Sequence, residues 1–267
     1  MSETRNTTPR LSDPPLTARS VVASTLLGMR PPRLPARILV RSGELFGIAE
    51  GTTRVALSRM QQAGELVPVD GAYELAGHLL DRQARQEQSR AARTRDWDGR
   101  WEMAVVERGK RPAEARDSLR AAARALRLAE LREGVWLRPD NLDPDRSSVD
   151  RRVLGQQCQT FVAQPVDDPT RLASNLWRLD AWAEEALRLR VEMQRSVEAL
   201  EAGDLAALAP GFVVAAAVLR HFQADPLLPT ELPPDDWPGS SLRADFDRYD
   251  AAFRGVWRSW YRGAAVA

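Results

Sequence analysis

The residues of this chain best suited to chemistry lie between Phe46 and Met60, in FGIAEGTTRVALSRM. On a helix, Thr53, Ala56, Leu57 and Met60 fall at i, i+3, i+4 and i+7 and form one apolar stripe. Thr52, Arg54, Val55, Ser58, Arg59 and Gln62 then point away from that stripe. Hydroxyl, amide and guanidinium groups in this pattern suit a groove in DNA, because an arginine fork bonds the two major-groove acceptors of guanine or the oxygens of a phosphate. The candidate contacts are Thr52, Arg54, Ser58 and Arg59, with Arg54 or Arg59 on a base edge and the hydroxyls or Arg19 on phosphates. An ordinary amphipathic helix with solvated arginines has the same pattern, so the surrounding elements must separate the two readings.

Other chemistries find less support. Cys158 is the one cysteine, which excludes an intramolecular disulfide, and it lies far in sequence from His78 and His221, so no zinc spacing exists. Asp98, Glu102 and Glu107 near a candidate strand supply carboxylates for a metal-dependent nuclease, but no second acidic cluster accompanies them. No catalytic residues, metal or cofactor are expected.

At 267 residues the chain exceeds the usual single domain. The polar, proline-containing start MSETRNTTPRLSDPP has no signal-peptide core, and no apolar run reads as a membrane span, so a cytoplasmic location without membrane contact is expected. A formal net charge of +1 hides an asymmetry: residues 1–100 carry 15 arginines against 11 carboxylates, and the remainder 23 basic against 26 acidic groups. Lys110 is the only lysine. That preference for arginine suits phosphate recognition and equally follows from genome base composition.

The elements that must position the 46–60 stretch read as follows. Residues 1–16 form a flexible arm. Thr17 caps a helix through about Met29, whose buried side is Val21, Val22, Thr25, Leu26 and Met29. RPPRLP at 30–35 breaks that helix, and a second runs from about Ala36 to Phe46. Gly47 ends it in a left-handed conformation, Ile48 packs between helices, and the third helix follows to about Gly64. Leu66 to Leu75 then gives two strands joined at Asp70-Gly71, a strong hairpin signal. Three helices and a hairpin are the order of a winged helix-turn-helix, over 17–80. A polar linker helix over 81–100 carries Arg82, Arg85, Arg90, Arg93 and Arg95. The order βαββαβ over 101–167 describes a ferredoxin-like split unit, with strands at 101–106, 129–131, 135–137 and 158–163. Residues 168–267 are helical: a long stripe from Leu172, an apolar segment 211–222 that Pro210 sets apart, a proline-rich connection 225–239, and a terminal helix with Leu242, Phe246, Tyr249, Phe253, Trp257 and Trp260 at helical spacing. The fold class is thus α+β: winged helix-turn-helix, ferredoxin-like middle domain, helical C-terminal domain.

Five segments in this order resemble the PaaX-like family of bacterial transcriptional regulators, the phenylacetic acid degradation repressors. They are TARSVVASTLLG (17–28), GIAEGTTRVALSRM (47–60), WDGRWEMAVV (97–106), GVWLRP (134–139) and DPLLPTELPPDDWPG (225–239). The resemblance implies binding to double-stranded DNA as a homodimer that represses catabolic genes until an acyl-CoA effector binds. It assigns no effector residues, since Arg220 and His221 match no family position securely, and the Asp70-Gly71 turn lacks the basic residues common in family wings. The competing functions are the metal-dependent nuclease and a ligand sensor that acts through a partner protein.

Overall fold

The structure, a computed structural model, describes residues 16–107 and 111–266. The arm expected over 1–16 lies, except for Leu16, outside the described residues, as does the turn expected around Gly109. Two compact units divide the chain: residues up to Leu80 with the chain's end from Ala264, and Asp81–Gly263. The middle and C-terminal regions, separated in the sequence reading, thus fall within one unit.

In the first unit Thr17 starts α1 (Ala18–Leu27). Its hydroxyl accepts from the Ser20 backbone N–H at 3.1 Å, and the Ser20 hydroxyl accepts from the Thr17 N–H at 2.9 Å, a reciprocal cap that satisfies two donors. Next come β1 (Arg33–Pro35), α2 (Ala36–Leu45), α3 (Glu50–Gln62), β2 (Leu66–Val69) and β3 (Ala72–Leu75). The three strands form an antiparallel sheet in the order β1-β3-β2. The sequence reading treated RPPRLP only as a breaker and missed β1. Physically, Pro35 lies in one edge strand and Pro68 in the other, while the doubly paired β3 has no proline, because proline cannot donate to a ladder. Asp70 (φ 46°) and Gly71 (φ 73°) are both left-handed, as a tight two-residue hairpin turn requires.

The second unit begins within α4 (His78–Arg90), shorter than the linker helix expected to reach residue 100. β4 (Trp101–Val106), α5 (Ala113–Ala125), β5 (Ala129–Arg132), β6 (Val135–Pro139), α6 (Ser148–Gln157) and β7 (Cys158–Ala163) follow in the expected βαββαβ order. The sheet order β5-β6-β4-β7, antiparallel throughout, is that of a split ferredoxin-like unit. Alternation divides β4 and β6 between two cores. Ala104 and Trp136 pack with Leu119, Ala123 and Leu154 of α5 and α6, whereas Trp101, Met103 and Leu137 pack with Ala173 and Leu176 of α7 (Pro169–Leu176).

α8 (Leu179–Glu201), α9 (Leu208–Ala224) and α10 (Gly239–Val266) complete the unit. Two helical expectations change. The stripe from Leu172 is interrupted at Trp177 and Arg178, splitting α7 from α8. Pro210 lies inside the first turn of α9, where its missing N–H breaks no helical bond. The stretch Leu205–Ala224, contrary to expectation, is long and apolar enough to cross a membrane by length and composition. In this fold it buries Leu208, Gly211, Val214, Ala217, Val218 and Phe222, and it packs against α8.

Two contacts set the geometry of these units. Gly43 of α2 faces Thr53 of α3, and a Cβ at Gly43 would overlap the Thr53 hydroxyl, so the close approach of the two helices needs a hydrogen there. In the second unit the Arg138 guanidinium is fully buried. It donates to the carbonyls of Pro139 (2.9 Å) and Leu126 (3.0 Å) and to Asn141 Oδ1 (2.6 Å), with a longer contact to the Leu227 carbonyl. Leu126 is the C-cap of α5, so one side chain ties the end of that helix to β6 and to the proline-rich segment.

Gly43→Ala is expected to lower stability, because overpacking costs about 1–3 kcal/mol and the helix-propensity gain of alanine returns only about 1. Thr53→Ala in the same chain should recover part of that loss. Chemical denaturation of the two variants tests this, and a Gly43→Ala protein as stable as wild type would remove the steric constraint. Arg138→Met should cost about 2–4 kcal/mol through orphaned carbonyls, and Arg138→Lys should not restore it, since an ammonium cannot reproduce the planar fork. Unchanged melting of Arg138→Met would show the carbonyls to be satisfied otherwise.

Candidate nucleic-acid interface

α3 sorts its side chains as the stripe predicts. Thr53, Leu57 and Met60 are buried and Ala56 half-buried, while Thr52, Arg54, Val55, Ser58 and Arg59 are exposed. The turn before it is built as expected: Gly47 is left-handed (φ 68°), and the N–H groups of Gly47 and Ile48 return to the carbonyls of Glu44 and Gly43 at 2.9 and 3.0 Å. Glu50 in the first turn and Arg59 in the last agree with the helix dipole.

The arginines differ in how far their charge is committed. Arg54 binds Glu50 one turn away, at 2.8 Å from Nε and 2.6 Å from Nη2, but both side chains are more than half exposed, so the pair is worth only a few tenths of a kcal/mol. Arg59 has no hydrogen-bond or ion-pair partner among the described residues and is the most available cation on the helix. Arg19 has another partner: its fork embraces the buried Glu65 carboxylate, through Nε at 3.0 Å and through Nη2. That pair joins the start of α1 to the segment between α3 and β2. The Arg19 hydrogen bonds hold the Glu65 carboxyl below its usual range against the opposing effect of burial, and the charges of Arg19 and His78 add to the lowering.

One residue near the turn was missed. Arg33, in β1, donates from Nη2 to the Val69 carbonyl (2.9 Å) and to Asp70 Oδ2 (3.2 Å), so a guanidinium does lie at the hairpin turn. Its position follows from β1 pairing with β3, which the prolines around it concealed. Within the linker helix Arg90 binds Asp247 (2.9 Å) and Asp250 (2.5 Å) of α10.

The carboxylates considered for a metal are dispersed among other partners. Asp98 binds Arg100 at 2.6 Å, Glu102 binds Arg151 of α6 at 3.1 Å, and Glu107 is exposed at the end of β4. Among the described residues no group of three or more His, Cys, Asp or Glu side chains is placed to hold a metal ion.

These features define an α+β protein with a small helix-rich first unit that presents arginine and hydroxyl groups on one helix, followed by an antiparallel sheet region and a helical C-terminal region. The chain belongs to the PaaX-like family: family models described as PaaX-like protein, PaaX protein central Cas2-like domain, and PaaX-like protein C-terminal domain match residues 17–79, 94–173 and 177–260. Membership is consistent with a transcriptional regulator. Among solved structures the chain is similar to uncharacterized protein Rv0674 from Mycobacterium tuberculosis, with 41% identity over 90% of this chain and 97% of that one and a TM-score of 0.70. A comparison with curated proteins gave no match.

The Arg19–Glu65 pair sets a pH dependence. A carboxyl whose folded pKa is depressed contributes stability that is present above its unfolded value, about 4.3, and is lost as pH falls through the folded one. Arg19→Ala should cost about 1–2 kcal/mol at pH 7, at the low end for charged hydrogen bonds because Arg19 is 55% exposed. The cost should shrink below pH 4. Urea melts of wild type and variant across pH 3–7 measure it, and a pH-independent difference would rule out the carboxylate as its source.

Proposed function

We propose that this protein is a DNA-binding transcriptional regulator in which α1 to β3 form a winged helix-turn-helix and α3 enters the major groove. The observation that carries the reading is the outer face of α3, where Thr52, Arg54, Ser58 and Arg59 stand exposed above a helix seated by Thr53, Leu57 and Met60. Arg59, without a competing anion, is assigned the base edge. Arg54 leaves an exposed and weakly held Glu50 to join it. Thr52 and Ser58 hold phosphates, and Arg19, already engaged by Glu65, supports that contact from α1. Arg33 supplies the positive charge of the wing.

Supporting the finer reading are family membership and the resemblance of the sequence to catabolic repressors: the protein acts in the cytoplasm as a homodimeric repressor, and an acyl-CoA type effector releases it from DNA. A homodimer sets two copies of α3 against two half-sites, so a palindromic operator is expected.

Footprinting and mobility shift at the protein's own promoter test this. Arg59→Ala should weaken specific binding by about 1–3 kcal/mol, roughly 5- to 150-fold, and relax preference at one base pair per half-site. Arg195→Ala, at an exposed α8 residue whose ion-pair partner is Glu192, should leave binding unchanged. Full protection by an Arg54→Ala, Arg59→Ala protein would remove α3 as the reader.

A further inference from the structure

One side chain on the outer face of α3 has no part in the polar array there. Val55 is 51% exposed in the middle of the helix, while Thr53, Leu57 and Met60 seat the opposite side. At roughly 100° per residue, Val55 projects about 190° from the centre of that buried side, so it stands at the crest of the helix. Its neighbours one turn away in either direction are Gly51, Thr52, Ser58 and Arg59. All four are exposed, and none is an aliphatic or aromatic side chain that would cover it.

A branched aliphatic group at this position serves neither the seat of the helix nor the helix itself, since β-branching lowers helix propensity relative to alanine. Gly51, one turn earlier on the same ridge, shares that character. It is exposed in a helical segment, and a Cβ added there would meet no atom within 4 Å, so packing does not require the glycine, which weakens a helix relative to alanine. The bare position leaves the Val55 isopropyl group uncovered toward the start of the helix. The row Gly51, Val55, Arg59 thus runs from exposed backbone, through an apolar knob, to a guanidinium with no anionic partner among the described residues.

The floor of the major groove offers one apolar group, the 5-methyl of thymine. An isopropyl group pressed against that methyl removes both from water. Against guanine, adenine or cytosine the same group would cover a ring nitrogen, a carbonyl oxygen or an exocyclic amine and return no hydrogen bond, which is costly. Such a contact selects by attraction to one base and by penalty against the others. Four residues of helix advance about 6 Å and stacked base pairs rise about 3.4 Å, so Val55 and Arg59 meet base pairs one or two steps apart.

We propose that Val55 is a specificity-determining residue that reads the methyl group of a thymine within two base pairs of the guanine bound by Arg59. This rests on the assignment of α3 as the DNA-reading helix, and it adds a base that the hydroxyl and guanidinium groups of that helix do not select.

Replacing thymine by uracil deletes the methyl group and leaves base pairing intact. Operator duplexes taken from the footprint at the protein's own promoter, with each thymine of a half-site replaced in turn, are titrated with the full chain by mobility shift. One position per half-site is expected at which uracil weakens wild-type binding about three- to fivefold, the effect of one buried methyl group. Val55→Ala should bind the thymine operator about three- to tenfold more weakly and be indifferent to uracil at that position, whereas Val55→Ile should keep the sensitivity. Both variants should melt with wild type, because the side chain lies outside the buried seat, and thermal melts check this. No uracil-sensitive thymine, or the same sensitivity in Val55→Ala, overturns the proposal. Failure of the underlying reading looks different. Full protection by the Arg54→Ala, Arg59→Ala protein, or no footprint at all, removes α3 as the reader and Val55 with it; binding lost in that double variant, with wild type indifferent to uracil throughout, keeps the helix and rejects Val55 alone.

Discussion

A buried guanidinium organises the second unit. Arg138 is fully buried, and burial lowers its pKa to about 9, yet its hydrogen bonds run to carbonyl oxygens and one amide instead of to a carboxylate. Taking a charge out of water is costly, and it persists only when its donors are used well. Here they close the C-terminus of α5 and hold β6 to the Asn141 loop and to Leu227. Arg127 acts similarly at the end of α9, so two helix termini with negative dipole ends are finished by arginines from elsewhere in the chain.

Much of the architecture was legible in the sequence because it depends on local rules. The cap at Thr17, the left-handed Gly47, the Asp70-Gly71 turn and the strand at 101–106 each express a constraint contained within a few residues. What was not legible depends on pairing between distant segments. β1 exists because Arg33–Pro35 meets Glu74–Ala72, and three prolines within six residues hide any strand signal. The break between α7 and α8 likewise has no glycine or proline to announce it; Trp177 turns there to stack on Trp101.

The segments that carry the family resemblance prove to be mostly structural. GVWLRP contributes Trp136 to one core and Arg138 to the buried network. In DPLLPTELPPDDWPG, Asp225 binds Arg243, Leu227 offers its carbonyl to Asn141 Nδ2 at 3.0 Å, and Trp237 stacks on Trp182 at 4.5 Å. WDGRWEMAVV supplies Trp101, fully buried, with Trp97 against its edge. The helix segment 47–60 instead places Thr52, Arg54, Ser58 and Arg59 exposed along one helix. A motif that identifies a fold thus need not contain its chemistry.

Arginine type alone therefore says little in a chain with 38 basic residues, all but one of them arginine. What distinguishes one arginine from another is the partner already in place. Arg19 faces a buried carboxylate, and moving it away would leave that charge unsolvated, so it is held as structure. Arg54 faces an exposed carboxylate that water can solvate equally well, so the guanidinium is released at small cost. Arg59 has no such partner among the described residues, and Arg127 and Arg146 bond to carbonyls, with Asp225 attracting and each other's charge repelling them. The free energy available for a new anion rises from Arg19 to Arg54 to Arg59, because the bond to be broken weakens along that series. The same order picks out Arg59 on the surface helix and the buried pair Arg127 and Arg146 as the places where charge is least committed to a neighbouring anion.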